Sequence, residues 1–308
     1  MSNPDIRLVN NKDIDPQKWD ECIRNSAFGI AYAYSWYLDR ICPDWDALIW
    51  GNYLYVMPLP HSKKYGLSYV YQPFFTQQLG VFSNFSPEPE IVNHFLHAIP
   101  EEFRLTDLKL NLGNEPTSDR FRIEKHITHH LNLSAEIEKI HAGYNTNTSR
   151  NIQKAIKHKI SVLPIFDINQ FLEFTQANLK EKSPEVKPKH YSALKKVISY
   201  SLYNQVGKIY GAFDSSNTLV AATFFVTTNQ KSIYLAASSN AIGTRHNAMF
   251  LLIDTFIMDH AENNLVLDFE GSDIAGVARF YKGFGGIPQT YYSVHQNRLP
   301  RLIRLLKK

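Results

Sequence analysis

The sequence is poor in cysteine, with two among its 308 residues, and it contains no long run of apolar residues. Two cysteines, Cys22 and Cys42, supply neither a disulfide framework nor a cysteine-rich metal site, which indicates a reducing compartment. No stretch reaches the roughly 18 uncharged apolar residues of a membrane span, and the first residues include no apolar signal region. We therefore expect a cytoplasmic protein without a transmembrane segment.

Motifs for several common chemistries are also missing. The sequence has no Walker loop for nucleotide phosphates and nothing that indicates a nucleophilic triad. Four histidines, His126, His129, His130 and His141, lie within a short span, but they form no tight ligand set with supporting carboxylates. We therefore expect no metal centre.

What the sequence does contain is typical of a folded protein with two domains. Of its residues, 44% are hydrophobic and 20% are charged, an ordinary balance for a globular chain. A chain of 308 residues is too long for one small core and suits two domains of about 150 residues each. We predict an N-terminal domain at residues 1–140 and a C-terminal domain at residues 141–308.

The net charge of +4 conceals a difference between the two halves. Residues 1–140 hold 13 Lys and Arg against 18 Asp and Glu, a balance of −5. The remaining residues hold 20 basic and 11 acidic side chains, a balance of +9. A basic half favours an anionic partner such as a nucleotide, a phosphate, tRNA or a membrane surface, although attraction between the domains would also explain it.

Hydrophobic periodicity and turn residues predict mixed α/β structure in both halves. The first half has the order β-α-α-β-β-β-α-β-β, from a strand at Ile6–Val9 to a strand at Phe121–Leu133. The second half begins with a basic helix from Ser149 to His158 and then has the order β-α-α-β-β-β-α-β-α-β. In that half the helix Asn247–His260 is apolar almost all round, so we expect it to be buried between layers.

The most informative stretch is residues 265–286, LVLDFEGSDIAGVARFYKGFGG. It begins with a short β run that stops at Glu270, with Ser272 and Asp273 just beyond. Apolar residues at spacings of three and four then predict a helix through Tyr281. The glycines that follow end this helix, because glycine takes the left-handed conformation without strain. Ligands usually sit at the exit end of a strand in an open α/β sheet, which makes this turn a candidate site.

Within this stretch, FYKGFGG resembles the aromatic-Tyr-x-x-Gly-Phe element of GNAT-type N-acyltransferases. The longer pattern LDFEG … GVARFYKGFGG resembles still more the end of the FemAB-like peptidoglycan-bridge aminoacyltransferases, which carry two GNAT-like folds in one chain. The segments THHLNLSAEIEKI and NTSRNIQKAIKHKISV are similar to that family's junction between a strand and a basic helix. The resemblance covers nearly the whole chain. It implies an α/β fold with mixed sheets in two tandem GNAT-like domains, the first of them degenerate.

This resemblance implies transfer of an acyl or aminoacyl group onto an amine by direct attack. The reaction needs an oxyanion to be stabilised, an amine proton to be removed and a leaving group to be protonated. Tyr281 stands where the GNAT tyrosine protonates the departing thiolate, and Lys282 matches a FemAB-like lysine near the acyl-donor or phosphate end. Glu270, at the exit of its strand, is the candidate for polarising the amine. A core tyrosine, a solvated lysine and a helix-capping acid are the structural alternatives.

The loop 238–247, before the apolar helix, is the predicted donor-binding segment, because backbone amides at a helix start bind anions. Its candidate cofactor-binding residues are Ser239, Asn240, Gly243, Arg245 and Asn247. GNAT enzymes hold the coenzyme A pyrophosphate here on an Arg/Gln-x-x-Gly-x-Gly/Ala signature, which this loop lacks. The missing signature favours aminoacyl-tRNA over acyl-CoA as the donor, but a simple cap at Asn247 and a surface role for Arg245 stay open.

Aromatic and amide residues after the strand Leu67–Tyr71 form the predicted acceptor side, in a cleft facing Gln72–Gln78. The candidate substrate-binding residues are Gln72, Phe74, Gln77, Gln78 and, on the basic helix, Arg150. Aromatic faces with amides can hold a sugar, a peptide or a nucleotide, and packing between domains is the alternative.

Two basic segments could contact anions. Arg150, Lys154 and Lys157 form a stripe at helical spacing, while Ile152, Ala155 and Ile156 are expected to face inward. The stripe is either a solvated face or a phosphate or tRNA contact. The tail Arg298–Lys308 predicts a terminal helix docked on the domain, or a weak contact with a membrane surface or RNA.

The leading hypothesis is a FemAB-like acyltransferase, and the family implies a cell-envelope precursor, such as a peptidoglycan intermediate, as the amine acceptor. One alternative is an acyl-CoA-dependent GNAT N-acetyltransferase acting on a small amine. The other is a non-catalytic GNAT-like protein that binds an anionic ligand.

Overall fold

In the computed structural model, which describes residues 5–179, 183–271 and 274–299, the chain divides into two compact units. The second unit is Ile127–Gln289, and the first unit comprises the chain before Ile127 and from Thr290 onward. The boundaries therefore differ from the predicted division at residues 140 and 141. The chain returns to the first unit at Thr290 because its last strand pairs with a strand of that unit.

The first unit is a sheet with helices packed against it. Its elements are β1 (Ile6–Val9), α1 (Pro16–Asn25), α2 (Ser35–Ile41), β2 (Trp45–Trp50), β3 (Tyr55–Lys64), β4 (Leu67–Val70), β5 (Phe82–Ser83), α3 (Pro89–His97), β6 (Phe103–Lys109), the start of β7 (Arg122–Asn132) and most of β13 (Ile287–Asn297). The strand order is β1-β2-β3-β4-β6-β13, with β5 beside β3. The β4–β6 pair is parallel and the other pairs are antiparallel.

Helix α1 shows how the sequence sets the first unit. The Asp15 side chain accepts hydrogen bonds from the amides of Gln17 and Lys18, and Pro16 takes the first helical position. The helix buries its apolar face, where the ring of Trp19 lies 5.0 Å from that of Trp45 on β2. This confirms the predicted cap and the helix that follows it.

The second unit is a mixed sheet with helices on both sides. Its elements are the rest of β7, α4 (Ile137–Ala142), α5 (Thr146–Lys157), β8 (Ser161–Pro164), α6 (Ile168–Leu179), α7 (Pro188–Tyr203), β9 (Gly207–Phe213), β10 (Leu219–Thr228), β11 (Lys231–Ser239), α8 (Ala241–Arg245), α9 (Ala248–His260), β12 (Val266–Gly271) and α10 (Ala275–Gly283). The strand order is β7-β12-β11-β10-β9-β8. Among the described strand pairs of this sheet, β11–β12 is parallel and the others are antiparallel.

The core of the second unit is built around α9. Its residues are buried on nearly every side, and the ring of Phe256 stacks on that of Phe225 in β10 at 3.8 Å. The polar exception is Asp254, whose Oδ1 accepts the hydroxyl of Tyr144 and lies 2.9 Å from Nε2 of His141. The predicted burial of this helix between layers is confirmed.

The predicted α/β class and the predicted element order are confirmed in both halves. The structure adds the short elements β5, α4 and α8, and α8 lies inside the segment predicted as a polar loop. None of the helices in the described part of the chain is long and apolar enough to cross a bilayer. Ser272, Asp273 and residues 300–308 of the predicted tail lie outside the described residues.

Candidate functional site

The predicted site in the second unit lies where two parallel strands stop pairing. Strands β11 and β12 are in register from Lys231 and Val266 to Ile233 and Asp268, and no described pair follows. Beyond that point β11 stays paired with β10 as far as Ser239. The strands therefore separate on their carboxyl side, which is the end of a parallel pair where ligands commonly sit.

The backbone at Glu270 marks this separation. Glu270 has φ of 62°, a left-handed conformation that is strained for a residue with a side chain. The register between β12 and β7 shifts between Asp268 and Gly271, so the strand bulges at Glu270. The Glu270 amide donates a 2.9 Å hydrogen bond to Oδ1 of Asp268, and the Thr128 hydroxyl donates to the same oxygen at 2.7 Å. Asp268 thus holds the strained turn in place.

Asp268 is an ionised group inside the unit. Its side chain is 1% exposed, and its Oδ2 lies 3.1 Å from Nε2 of His130. Burial raises the pKa of Asp268, but the adjacent imidazole of His130, the charge of Lys231 and the Thr128 hydrogen bond together bring it below its usual value. Burial in turn lowers the pKa of Lys231, against the charge of Asp268. A carboxylate is therefore kept beneath the turn that carries Glu270.

Tyr281 stands in an aromatic stack beside that turn. Its side chain is 8% exposed, its ring stacks on Phe269 at 4.9 Å, and it meets Tyr234 edge to face at 6.2 Å. Burial, followed by the charges of Glu270 and Asp268, raises the pKa of Tyr281, so the hydroxyl keeps its proton at neutral pH. The structure thus brings the predicted residues Tyr281 and Glu270 within electrostatic reach of each other.

Lys282 is exposed in the last turn of α10, where a cation is favoured by the helix dipole. The glycines after it are required by close packing. A side chain on Gly283 would overlap the Thr148 hydroxyl, and the Asn145 amide donates to the Gly283 carbonyl at 2.9 Å. Gly285 has φ of 82°, which confirms the predicted glycine stop. The end of α10 is therefore fixed against the start of α5.

His129 belongs to the same site and was not predicted there. Its side chain is 1% exposed, its ring lies 6.0 Å from that of Tyr281, and neither ring nitrogen has a hydrogen-bond partner among the described residues. Burial and then the charge of Lys282 lower the pKa of His129, against the charge of Asp268, so the imidazole is neutral at pH 7. Sequence reasoning considered this histidine only as a metal ligand.

Several residues of the predicted donor segment are engaged in hydrogen bonds and packing within the second unit. The Asn240 side chain caps α8 by accepting the Gly243 amide at 2.8 Å, and Ser239 donates to the Val220 carbonyl at 3.3 Å. A side chain on Gly243 would collide with that carbonyl, so packing accounts for this glycine. Asn247 has φ of 58° and its side chain does not cap α9. Arg245 is exposed.

A pair of stacked histidines adjoins this segment and was also missed. The rings of His158, at the end of α5, and His246, after α8, lie 4.2 Å apart at an interplanar angle of 4°. The Nδ1 atom of His246 is buried without a partner among the described residues. The two residues are far apart in the sequence, so no local pattern could join them. With Arg245 they form a basic surface near the start of α9.

The predicted basic stripe on α5 is exposed, with one correction. Arg150, Lys154 and Lys157 are exposed, and Arg150 donates to the Asn147 side chain at 2.9 Å. Ile152 is buried as expected, but the prediction that Ile156 faces inward is wrong, since it is 49% exposed. The buried face of α5 is therefore narrower than the apolar residues suggest.

The predicted acceptor residues in the first unit mostly shape their own loop. Gln72 donates to the Thr76 carbonyl at 2.9 Å and accepts the Lys109 amide at 3.0 Å. Gln78 is buried and donates to Gln77 at 2.9 Å, while Phe74 is exposed. Their proposed contact with a substrate stays a prediction.

Comparisons with known proteins support the fold. No protein-family model matches the sequence, and no curated protein matches it. Among solved structures, FemX matches with a TM-score of 0.66 and 11% identity, over 98% of this chain and 100% of that chain. The C-terminal domain of a putative lysylphosphatidylglycerol synthetase from Agrobacterium fabrum matches with a TM-score of 0.60 and 9% identity, over 93% of each chain. The chain has a FemX-like fold, as the resemblance implied.

Proposed function

We propose that the second unit transfers an acyl or aminoacyl group onto an amine. The observation that carries this proposal is the protonated Tyr281 hydroxyl, within electrostatic reach of Glu270, near the point where β11 and β12 separate. Acyl transfer to an amine needs one group that gives a proton to the leaving atom and one that accepts a proton from the amine. A neutral phenol and a carboxylate fill these two roles.

In the proposed reaction the amine nitrogen attacks the carbonyl carbon of the donor. A carbon–nitrogen bond forms, and the bond from that carbon to the donor's leaving atom breaks. Glu270 accepts the proton that the nitrogen loses, and the Tyr281 hydroxyl gives its proton to the leaving atom. Return of the proton from Glu270 to Tyr281 restores both groups. Lys282 attracts the anionic part of the donor from the exposed end of α10.

For the donor we favour aminoacyl-tRNA over acyl-CoA. Gly243 is explained by packing against Val220, so the segment keeps no glycine pattern for a pyrophosphate. Arg245 and the exposed Arg150, Lys154 and Lys157 of α5, whose end meets His246 through His158, offer basic surface that suits a polynucleotide. One structural neighbour is named as a putative lysylphosphatidylglycerol synthetase, and the lysyl group in that name is an aminoacyl group. Coenzyme A stays the alternative, because the start of α9 has no side-chain cap.

For the acceptor we propose an amine-bearing cell-envelope precursor in the cytoplasm, such as a peptidoglycan intermediate. The support is the FemX-like fold over nearly the whole chain. A small free amine is the acceptor in the coenzyme A alternative.

A transfer assay tests this proposal. The protein is mixed with a UDP-linked muramyl pentapeptide and with tRNA charged with radiolabelled serine, alanine or lysine. In parallel, labelled acetyl-CoA replaces the charged tRNA, and a small free amine replaces the muramyl pentapeptide. We expect a labelled product only from charged tRNA. The label in that product should survive mild base, as an amide does. Label from acetyl-CoA alone would support the second donor. No transfer from either donor, with binding of tRNA retained, would support the non-catalytic alternative.

A further inference from the structure

The first unit contains a cavity of about 610 Å³ that the proposed reaction does not use. Its wall is formed by Tyr69 and Tyr71 at the end of β4, Asp107 on β6, His295 on β13 and Arg122 on β7. All of these residues belong to the first unit. A concave surface with aromatic faces and a few converging polar groups is the usual form of a small-molecule site.

A chain of polar contacts across three strands orients the polar groups of this cavity. Nδ1 of His295 lies 3.1 Å from Oδ1 of Asp107, and Nε2 of His295 lies 2.9 Å from the Ser293 hydroxyl oxygen. The same hydroxyl oxygen lies 2.8 Å from Nε2 of His126. These contacts orient the His295 ring, against which the Asp107 carboxylate lies. Groups held in this way by a rigid sheet are organised before a ligand arrives.

The order Ser293, His295, Asp107 is that of a nucleophilic triad, but its geometry supports a different role. Ser293 is 0% exposed, so its hydroxyl cannot reach a substrate in the cavity. Asp107, in contrast, is 63% exposed and faces the cavity. The accessible group is therefore the carboxylate, and the serine supports the histidine that holds it.

The charges at the cavity leave this carboxylate available. The Arg122 guanidinium forms an ion pair with Glu124, whose other carboxylate oxygen lies 3.5 Å from Nε2 of His295. The positive charge of Arg122 is thus offset by Glu124. Asp107 is the acidic residue among the described residues that line the cavity. A cationic ligand group would complement it.

The tyrosine wall favours the same kind of group. The rings of Tyr69 and Tyr71 lie 5.7 Å apart at an interplanar angle of 53°. The Tyr71 hydroxyl lies 3.3 Å from Sγ of Cys42, which anchors that ring. Burial and the neighbouring Cys42 raise the pKa of Tyr71, so it stays neutral. Ammonium groups bind well between aromatic faces and a carboxylate.

We propose that this cavity binds a ligand through an ammonium group, which contacts the Asp107 carboxylate and the faces of Tyr69 and Tyr71. The proposal concerns the first unit alone and does not depend on acyl transfer in the second.

The test is a titration of the whole protein, followed by amide chemical shifts in NMR, with the peptide Gly-Lys-Gly and its Nε-acetyl form, both blocked at the N-terminus. We expect saturable shifts around Tyr69 and Tyr71 with the lysine peptide and affinity weaker by about tenfold or more for the acetylated form, whose side chain is uncharged. Asp107→Asn keeps the side-chain shape and should lower the affinity for the lysine peptide by a similar factor. Asp119→Asn, at an exposed site in the same unit, is the matched control and should bind as the wild type does.

Equal affinity for both peptides, no binding of either, or undiminished binding to Asp107→Asn would overturn the proposal. Loss of binding in Asp119→Asn as well would show a general effect of charge and would also overturn it. A spectrum of Asp107→Asn that matches the wild type outside the cavity confirms that the variant is folded. If Asp107→Asn does not fold, Tyr69→Leu tests the aromatic part of the proposed contact. This variant should also lower the affinity for the lysine peptide.

Discussion

Each unit of the molecule contains an aspartate paired with a histidine across neighbouring strands, and the two pairs differ in their exposure to water. In the second unit Asp268 is 1% exposed beside His130, whereas in the first unit Asp107 is 63% exposed beside His295. The distance between the paired atoms is 3.1 Å in both. The buried carboxylate accepts hydrogen bonds from its own protein and fixes the backbone at Glu270. The exposed carboxylate faces a cavity and is left for a ligand.

This comparison shows that the same pair of side chains can serve either stability or binding. A buried ion is expensive to leave unpaired, so its partners must be part of the fold. An exposed contact between a carboxylate and an imidazole contributes little to stability, so its place on an oriented network indicates another role.

Replacement of the two aspartates by alanine should separate the pairs most clearly. Asp268→Ala leaves His130, Lys231 and the Glu270 amide without their common partner, and we expect it to lower the free energy of unfolding by about 3–5 kcal/mol. Asp107→Ala removes an exposed pair, and the loss should stay under about 1 kcal/mol. Chemical denaturation of both variants measures this. Equal losses would contradict the distinction between the two pairs.

Two glycines of α10 provide a second contrast within the site of the second unit. A side chain on Gly283 would overlap Thr148, so Gly283→Ala should destabilise the protein by about 1–3 kcal/mol. Gly276 has open space around it in the same helix, so Gly276→Ala should stabilise the protein by about 0.5–1 kcal/mol. Thermal unfolding of the two variants gives the sign of each effect. A neutral Gly283→Ala would show that α10 is not fixed against α5.

Acid should destabilise the second unit partly through His129. The folded state lowers the pKa of His129, so the unfolded chain binds the proton more tightly. The contribution of His129 to the free energy of unfolding is fully present above the unfolded-state pKa of about 6.5. It is lost as the pH falls from that pKa through the lower pKa of the folded state. His129→Leu should therefore lose less stability than the wild type between neutral pH and mildly acidic pH. Denaturation curves at several pH values test this, and identical pH dependence would contradict it.

Much of the fold was predictable because its signals are local. The cap at Asp15, the apolar helix α9 and the glycines after Lys282 act within a few residues, and the structure confirms each of them. Glu270 lies near the end of β12 and Tyr281 lies on α10, the next element along the chain, which is why the sequence could place them together.

The residues that were missed depend on register and on contacts between distant segments. Successive residues of a strand face opposite sides of its sheet, and only the pairing of β7 with β12 sets His130 beside Asp268 and His129 beside Tyr281. His246 meets His158, and His295 meets Asp107, only after the chain has folded. Such contacts leave no pattern in a single sequence.

In the proposed reaction the buried hydroxyl of Tyr281 supplies the proton for acyl transfer. The most direct measurement is the single-turnover rate of Tyr281→Phe, with labelled aminoacyl-tRNA and a UDP-linked muramyl pentapeptide. Tyr203→Phe, at a tyrosine exposed on α7, is the matched control and should keep the wild-type rate. We predict that Tyr281→Phe binds the donor normally but transfers about 100-fold more slowly. An unchanged rate would show that this hydroxyl takes no part in the reaction.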